Sequence, residues 1–312
     1  MKKIHFLGEC MVELRSTQPN TMQQSFAGDV YNSSVYLKRC FPDIQSGLIT
    51  SIGEDSLSTK MLGVFSNEKI ITDFVFRHPT KVAGMYLIET DEFGERSFIY
   101  WRSDAAARKV VEFLDDDVLE QLAESDMFFV SGISLAVLEP TTRSSFWDKV
   151  SFLKNRGVKI VFDPNYRPRL WVNEDEAREQ FDQAFAFADI TLPGVEDLSD
   201  LYQIQNSQEL VEFCKAKNIS EVVVKDGPAS VVSYDGQQTT SHQITPVEHV
   251  VDTTSAGDAF NGAYLGARLS GYDIEKAVRY AALAAGIVIQ HRGAIAPKMA
   301  FDTAFKHGVD AL

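Results

Sequence analysis

The chain has 312 residues, enough for one large α/β domain or for such a domain with a small appendage. Its 44 acidic and 30 basic residues give a formal net charge of -14, which argues against the basic surface that nucleic acids and anionic membranes require. Hydrophobic residues make up 45% of the chain, an ordinary globular composition.

The cysteines and the chain start bear on location. Cys10, Cys40 and Cys214 are an odd, scattered set without a CxxC pair, so we expect neither a disulfide framework nor a zinc site, and a reducing cytoplasm fits. The first apolar run is interrupted by Glu9 and reads as a strand rather than a signal peptide. The longest apolar stretch, 281–289, is too short to cross a bilayer. We therefore expect no membrane and no nucleic-acid partner.

In the first part of the chain, an apolar run predicts a buried strand, and the polar–apolar alternation after it predicts a strand with one wet face. Two later alternating segments flank a turn and predict an antiparallel hairpin that projects as a lid. The predicted strands are 4–8, 9–14 and 48–52, the hairpin arms are 82–89 and 96–102 around Asp91-Glu92-Phe93-Gly94, and the helices are 33–40 and 57–67.

The rest of the chain alternates strands with helices. Predicted strands are 127–131, 158–162, 189–192, 221–225 and 231–234, and predicted helices are 141–156, 174–187, 195–202, 207–217, 259–269 and 274–289. This alternation predicts an α/β fold with a doubly wound, mainly parallel sheet. We expect one domain over 1–312, with lid strands from about 9–16 and 80–102. Ligands of such sheets bind at the carboxyl ends of the strands.

The stretch 250–260 is the most informative, because an extended segment there turns tightly into a helix. Free N–H groups and the positive end of the helix dipole bind anions, phosphate above all. Gly257 lets a ligand approach the backbone closely. Asp258 has two readings, a helix cap or a general base beside a phosphate site.

Other strand ends carry polar residues that could hold a second molecule. Arg102 and Arg167 suit a carboxylate, because a guanidinium donates two parallel hydrogen bonds to it; the alternative for each is a surface or ion-pair role. Asp29 and Asn32 are candidates too, with an ordinary helix-start role as the alternative.

The run Asp252-Thr253-Thr254-Ser255-Ala256-Gly257-Asp258 resembles the C-terminal signature of the ribokinase-like (PfkB) carbohydrate kinases. The stretches 8–14, 100–102, 131–136 and 165–171 are similar to the branch of that family that phosphorylates 2-dehydro-3-deoxygluconate, and the similarity runs from Gly8 to about Pro297. The resemblance implies a ribokinase-like fold with a small β-sheet lid. It also implies ATP-dependent, Mg²⁺-assisted transfer of phosphate to the 6-hydroxyl of that sugar acid.

The resemblance also assigns site residues. Asp258 would be the base, and Ala256 and Gly257 would join it in an anion hole for the phosphoryl group. Sugar-acid contacts would come from Gly28, Asp29, Val30, Tyr31, Asn32, Tyr86, Tyr100, Trp101, Arg102, Arg167 and Asp258. ATP contacts would come from Asn165, Tyr166, Arg167, Lys225, Asp226, Gly227, Pro228, Ala229, Ser230, Ser255, Ala256, Gly257 and Asp258.

The chain departs from the family pattern in two places. Ala27-Gly28 replaces the usual Gly-Gly, and Gly194-Val195-Glu196-Asp197 replaces the Asn-x-x-Glu motif that organises the waters of Mg²⁺. Either Glu196 or Asp197 would then take the role of the family's Glu, acting through water. Some relatives bind a monovalent cation through carbonyls near positions matching Asp252 and Gly293, and the resemblance leaves this open here.

Two rival functions remain at this stage. A kinase for a neutral sugar such as fructose would need hydroxyl partners rather than an arginine pair. A non-catalytic sugar or nucleotide sensor would not need Asp258 beside the anion hole. The resemblance also implies a homo-oligomer that pairs its lids, without fixing the number of subunits.

Overall fold

The computed structural model describes residues 1–18, 20–90, 96–228 and 230–311. Its strands, in chain order, are β1 (Lys3–Leu7), β2 (Met11–Gln18), β3 (Thr21–Ala27), β4 (Gln45–Gly53), β5 (Ile71–His78), β6 (Met85–Thr90), β7 (Arg96–Trp101), β8 (Met127–Ser131), β9 (Lys159–Asp163), β10 (Ile190–Thr191), β11 (Glu221–Asp226), β12 (Ser230–Tyr234) and β13 (Thr239–Gln243).

The helices are α1 (Asp29–Cys40), α2 (Ser56–Asn67), α3 (Asp116–Leu122), α4 (Gly132–Val137), α5 (Arg143–Asn155), α6 (Glu174–Phe187), α7 (Val195–Tyr202), α8 (Ser207–Ala216), α9 (Ala256–Leu269), α10 (Ile274–Val288) and α11 (Lys298–Val309), with a long 3-10 helix over Ala106–Phe113. Polar caps start several of them: the side chains of Asn173, Asn206 and Asp273 accept backbone N–H bonds at the starts of α6, α8 and α10. Within the described residues, no helix combines the length and the apolar character needed to cross a membrane.

A large sheet runs in the order β13-β12-β11-β10-β9-β8-β1-β4-β5 and is parallel except for β12 and β13. Successive residues of β1 enter different apolar layers. Phe6 packs with α1 and α9 residues on one face, and Leu7 packs with α5 and α6 residues on the other. Burial on both faces explains the near-continuous apolar strands and confirms the predicted doubly wound α/β fold.

A smaller sheet runs in the order β3-β2-β6-β7, with β2 and β6 parallel and the outer pairs antiparallel. Three of these strands cover the segments predicted for the lid. The fourth, β3, was not predicted, because Thr21 to Ser25 is a mostly polar segment that is exposed or half-buried. The predicted turn residues 91–94 lie outside the described residues.

The strand order reverses beside β1, which sets the position of the site. The chain leaves β1, builds β4 and β5 on one side, and returns to β8 on the other. The carboxyl ends of β1 and β8 therefore flank a crevice, and Glu9 and Ser131 stand there. The first turn begins four residues earlier than predicted in α1, at Asp29, and three residues earlier in α9, at Ala256.

Candidate active site

A cavity of about 1080 Å³ opens at the carboxyl ends of the large sheet. The small sheet forms one wall with Met11, Tyr86, Phe98 and Tyr100, whose rings at 86, 98 and 100 lie against one another. The large sheet and the start of α9 form the opposite wall. The four strand ends that the sequence analysis singled out all reach this one space, since Asp29, Arg102, Asn165 and Asp258 line it.

The start of α9 presents backbone amides to the cavity. Ser255 precedes the helix in the left-handed conformation, with φ of 67°, and Ala256, Gly257 and Asp258 form the first turn. First-turn N–H groups have no partner within a helix. Ala256 N–H donates to Thr253 O at 3.2 Å, so the amides of Gly257 and Asp258 are the better placed to receive an anion.

Asp258 is held by a residue of a different helix. Its Oδ2 accepts a hydrogen bond from Asn32 Nδ2 at 2.8 Å. Gly262 makes this possible, because a Cβ there would lie 2.2 Å from Ser33 O and would push α1 away from α9. Burial raises the pKa of Asp258 to about 7, the charges of Asp29 and Asp163 add to the rise, and the Asn32 bond opposes it. A carboxylate that titrates near neutrality suits a general base.

Asp29 is also more than a helix-start residue. Its Oδ2 accepts from Ser131 Oγ at 2.5 Å and from Asn165 Nδ2 at 3.2 Å, which joins α1 to the ends of β8 and β9. Burial raises its pKa, and the Ser131 bond acts against the rise. The preceding residue must be Gly28, since a Cβ there would lie 2.2 Å from the backbone oxygen of Glu9.

Lys225 lines the cavity beside the start of α9. Its Nζ lies 3.3 Å from both carboxylate oxygens of Asp163 and 3.3 Å from Asn261 Oδ1. Asn261 Nδ2 donates to Asp163 at 2.6 Å, so the buried carboxylate is fixed from two sides. A Cβ on Gly257 would lie 3.8 Å from Lys225 Nζ, which places this cation beside the first turn of α9.

Of the two candidates for organising Mg²⁺, only Asp197 lines the cavity, whereas Glu196 is exposed outside it. Burial raises the pKa of Asp197, and the charge of Asp163 adds to that rise, so these two carboxylates lie near each other. Within the described residues, no group of three or more His, Cys, Asp or Glu side chains could hold a metal. Mg²⁺ needs fewer, because it keeps waters and takes phosphate oxygens, so Asp163 and Asp197 fit it.

The predicted arginine pair reaches the cavity, but each member already has a partner. Arg102 forms a buried ion pair with Glu9, with side chains 12% and 1% exposed. Arg167 is half-exposed, donates to its own Tyr166 O at 2.7 Å and lies 3.5 Å from Asp197. Among the described residues the ionisable cavity lining is balanced, with five acids and five bases: Glu9, Asp29, Asp163, Asp197 and Asp258 against Arg102, Arg108, Arg167, Arg169 and Lys225.

Several residues assigned by the resemblance lie away from the cavity. The side chains of Val30 and Tyr31 are in the core, at 0% and 1% exposure, because they lie on the core-facing side of α1. Tyr166 packs edge-on against Phe181, with ring centroids 5.9 Å apart. Trp101 is 55% exposed, since it follows Tyr100 on a strand and so lies on the opposite face. Asp226, Gly227, Pro228 and Ser230 do not line the cavity, and Ala229 lies outside the described residues.

The structure adds lining residues that the sequence analysis did not select, notably Glu9, Phe98, Arg108 and Asp163. Glu9 and Asp163 directly follow predicted strands, and this position alone could have identified them as site candidates. Arg108 carried none, because the 3-10 helix that bears it was not predicted. Asp252, near the cation position that the sequence analysis left open, accepts from Thr254 N–H at 3.0 Å and from Gly293 N–H at 2.9 Å and ties two loops together.

A carboxylate with a raised pKa beside the open first turn of a helix, in a crevice at a strand-order reversal, suits an enzyme that transfers a phosphoryl group to a hydroxyl. Residues 1–300 match the pfkB family of carbohydrate kinases, and the chain belongs to that family.

Among curated relatives, the 2-dehydro-3-deoxygluconokinase of Dickeya dadantii (strain 3937) is 39% identical over 302 residues, covering 95% of this chain and 97% of its own. Other 2-dehydro-3-deoxygluconokinases are 38% identical. A fructokinase of Vibrio alginolyticus is 27% identical over 268 residues, covering 85% of this chain and 83% of its own. An Escherichia coli protein described as a ribokinase II, solved with ATP and Mg²⁺, has a TM-score of 0.85 at 22% identity, covering 98% of this chain and 100% of its own.

Proposed function

We propose that this protein phosphorylates 2-dehydro-3-deoxy-D-gluconate with ATP at its 6-hydroxyl, giving the 6-phospho sugar acid. The observation that carries the proposal is Asp258, held by Asn32 at the open first turn of α9 with a pKa near 7. The substrate is supported by relatives at 38–39% identity over nearly the whole chain, against 27% for the fructokinase.

Catalysis in this site rests on positioning and electrostatics, because the phosphoryl transition state is loose and needs little covalent help. Asp258 accepts the proton of the 6-hydroxyl as that oxygen attacks. The amides at Gly257 and Asp258 donate to the equatorial oxygens of the moving group. Lys225 lies close enough to the first turn of α9 to offset the negative charge of the moving phosphoryl group. Asp197 and Asp163 would hold the waters of Mg²⁺, and the ion would supply positive charge that offsets the charge of the phosphates.

The other end of the cavity receives the sugar acid. Asp29 and Asn32 offer partners for hydroxyl groups, and Arg102 and Arg167 offer donors for the carboxylate. Tyr86 and Tyr100 supply a ring surface from the small sheet. Closure of this sheet as a lid would exclude water and limit wasted ATP hydrolysis.

We also propose a cytoplasmic homo-oligomer that pairs its small sheets. Ile99 and Trp101 support it, since they lie on the face of β7 away from the cavity and are 42% and 55% exposed. A Trp101→Arg variant should then have a lower mass by light scattering than the wild type. An unchanged mass would contradict pairing of subunits through this face of β7.

The test is a coupled assay of ADP release with ATP and 2-dehydro-3-deoxygluconate, its galacto epimer, or fructose. We expect both sugar acids to give a higher kcat/KM than fructose. Of the two sugar acids, we expect 2-dehydro-3-deoxygluconate to give the higher value. A preference for fructose would favour the neutral-sugar kinase. Tight binding of the sugar acid without any ADP release would favour a sensor.

A further inference from the structure

Among the described residues four arginines line the cavity, and Arg108 is one of them, with Arg102, Arg167 and Arg169. Arg108 lies on the 3-10 helix Ala106–Phe113, whose Val110 and Val111 are buried in the core. Its backbone is fixed on both sides, since Ala106 N–H donates to Val82 O at 2.8 Å and Glu139 N–H donates to Arg108 O at 3.1 Å. The guanidinium is therefore presented from a rigid part of the large layer, not from the small sheet.

The charge around this end of the cavity is unevenly shared. Glu9 pairs with Arg102, and this buried pair carries no net charge. Burial raises the pKa of Glu9, the charge of Asp29 adds to the rise, and the positive charges of Arg102 and Arg108 act against it. Glu9 holds Arg102, whereas Arg108 lies beyond hydrogen-bond distance of its nearest carboxylate among the described residues, so its donors are available to an incoming anion.

The surface partner of Arg108 does not occupy its donors. Arg108 Nε lies 3.8 Å from Glu139 Oε2, beyond hydrogen-bond distance. The same oxygen lies closer to Lys109 Nζ, at 3.4 Å. By contrast, Arg167 donates to a backbone oxygen at 2.7 Å and its side chain is 54% exposed. Of Arg102, Arg108 and Arg167, Arg108 is the one whose nearest carboxylate lies beyond hydrogen-bond distance, and its side chain is 23% exposed.

We propose that Arg108 is a specificity-determining residue that binds the carboxylate of the substrate and supplies the positive charge that Glu9 withdraws from Arg102. This inference rests on the proposed function and adds a residue to it. A carboxylate is then the required group at C1, because a neutral group there would leave the half-buried Arg108 guanidinium without a hydrogen-bonded counter-charge.

The experiment compares two substrates that differ only at C1: 2-dehydro-3-deoxygluconate and 3-deoxy-D-fructose, which has a hydroxymethyl group in place of the carboxylate. Arg108→Gln should raise KM for the acid by about 10- to 100-fold, the range for a hydrogen bond to a charged group. Its KM for ATP and its kcat/KM for 3-deoxyfructose should stay within about threefold of the wild type.

Glu139→Gln is the matched control, because it removes the surface partner and keeps Arg108. It should leave KM for the acid unchanged. Arg108→Lys keeps the charge but not the fork geometry, so it should fall between the wild type and the Gln variant. It also serves as the test if Arg108→Gln does not fold.

The outcomes separate the inference from the proposed function. A wild type that does not prefer the acid over 3-deoxyfructose refutes the proposed function and this inference with it. A wild type that prefers the acid, with Arg108→Gln losing nothing or losing equally on both sugars, refutes the inference alone. The same conclusion follows if Glu139→Gln reproduces the Arg108→Gln effect.

Discussion

Replacing Asp258 by Asn tests the base and its environment in one variant. The amide keeps an oxygen that can accept from Asn32, so the fold and the binding of both substrates should survive. It cannot take the proton of the 6-hydroxyl, so we expect turnover to fall by about 10²-fold or more, the scale of a lost general base.

The same substitution should stabilise the protein above neutral pH. The pKa of Asp258 is raised from 3.8 to about 7, so the folded state holds its proton more tightly than the unfolded state does. Its contribution is favourable below pH 4 and is lost as the pH rises through 7. At pH 8 the charged, buried carboxylate should destabilise the wild type by up to about 4 kcal/mol, a penalty that Asn does not carry.

The assay is urea unfolding of both proteins at pH 5 and pH 8, with kcat measured on the same samples. Asp258→Asn should gain stability over the wild type as the pH rises and lose activity at every pH. Asp200→Asn, at an exposed position, controls for the substitution itself and should show neither effect. Near-normal turnover, or a stability gap that does not grow between pH 5 and 8, would refute the role and the environment assigned to Asp258.

Three further predictions concern other parts of the molecule. Burial, with the charge of Lys3 adding, lowers the pKa of His5 from 6.5 to about 3. His5 therefore costs no free energy of unfolding above pH 6.5, and this free energy should fall by about 2 kcal/mol at pH 5. In urea unfolding, His5→Gln should reduce this dependence on pH, and an unchanged dependence would contradict the prediction. Gly257→Ala adds a methyl group that would lie 3.8 Å from Lys225 Nζ, and it should lower kcat/KM for ATP at least tenfold without loss of stability. Gly63→Ala, where a Cβ would meet nothing within 4 Å, is the control and should leave the kinetics unchanged. Equal kinetics in both variants would argue against phosphate binding at Gly257. Arg167→Ala should reduce kcat/KM more for the sugar acid than for fructose, and equal losses would remove its carboxylate role.

Strands and helices were predicted accurately where the apolar residues recur with a regular spacing. The strand 127–131 and the helices 174–187 and 195–202 were predicted with the bounds that the structure shows. The start of α9 was displaced by three residues, because the small residues Ala256 and Gly257 give no apolar period although they are helical. Helices are predicted from the spacing of apolar side chains, so a helix start that is built from small residues is not detected.

The parts of the site that sequence reasoning missed depend on long-range pairing. The ion pair of Glu9 with Arg102 joins residues far apart in the chain, and the sequence around either residue does not indicate it. Asp163 becomes a site residue because Lys225 and Asn261 converge on it. Tyr166 stood in a site motif but turned into the core, since its ring could pack on Phe181.

The most direct test of the account is a crystal structure with 2-dehydro-3-deoxygluconate and a non-hydrolysable ATP analogue. We predict the 6-hydroxyl oxygen within about 3.2 Å of an Asp258 carboxylate oxygen, and γ-phosphate oxygens within hydrogen-bond distance of the Gly257 and Asp258 amides. A 6-hydroxyl beyond the reach of Asp258, or a γ-phosphate bound away from the start of α9, would contradict the account.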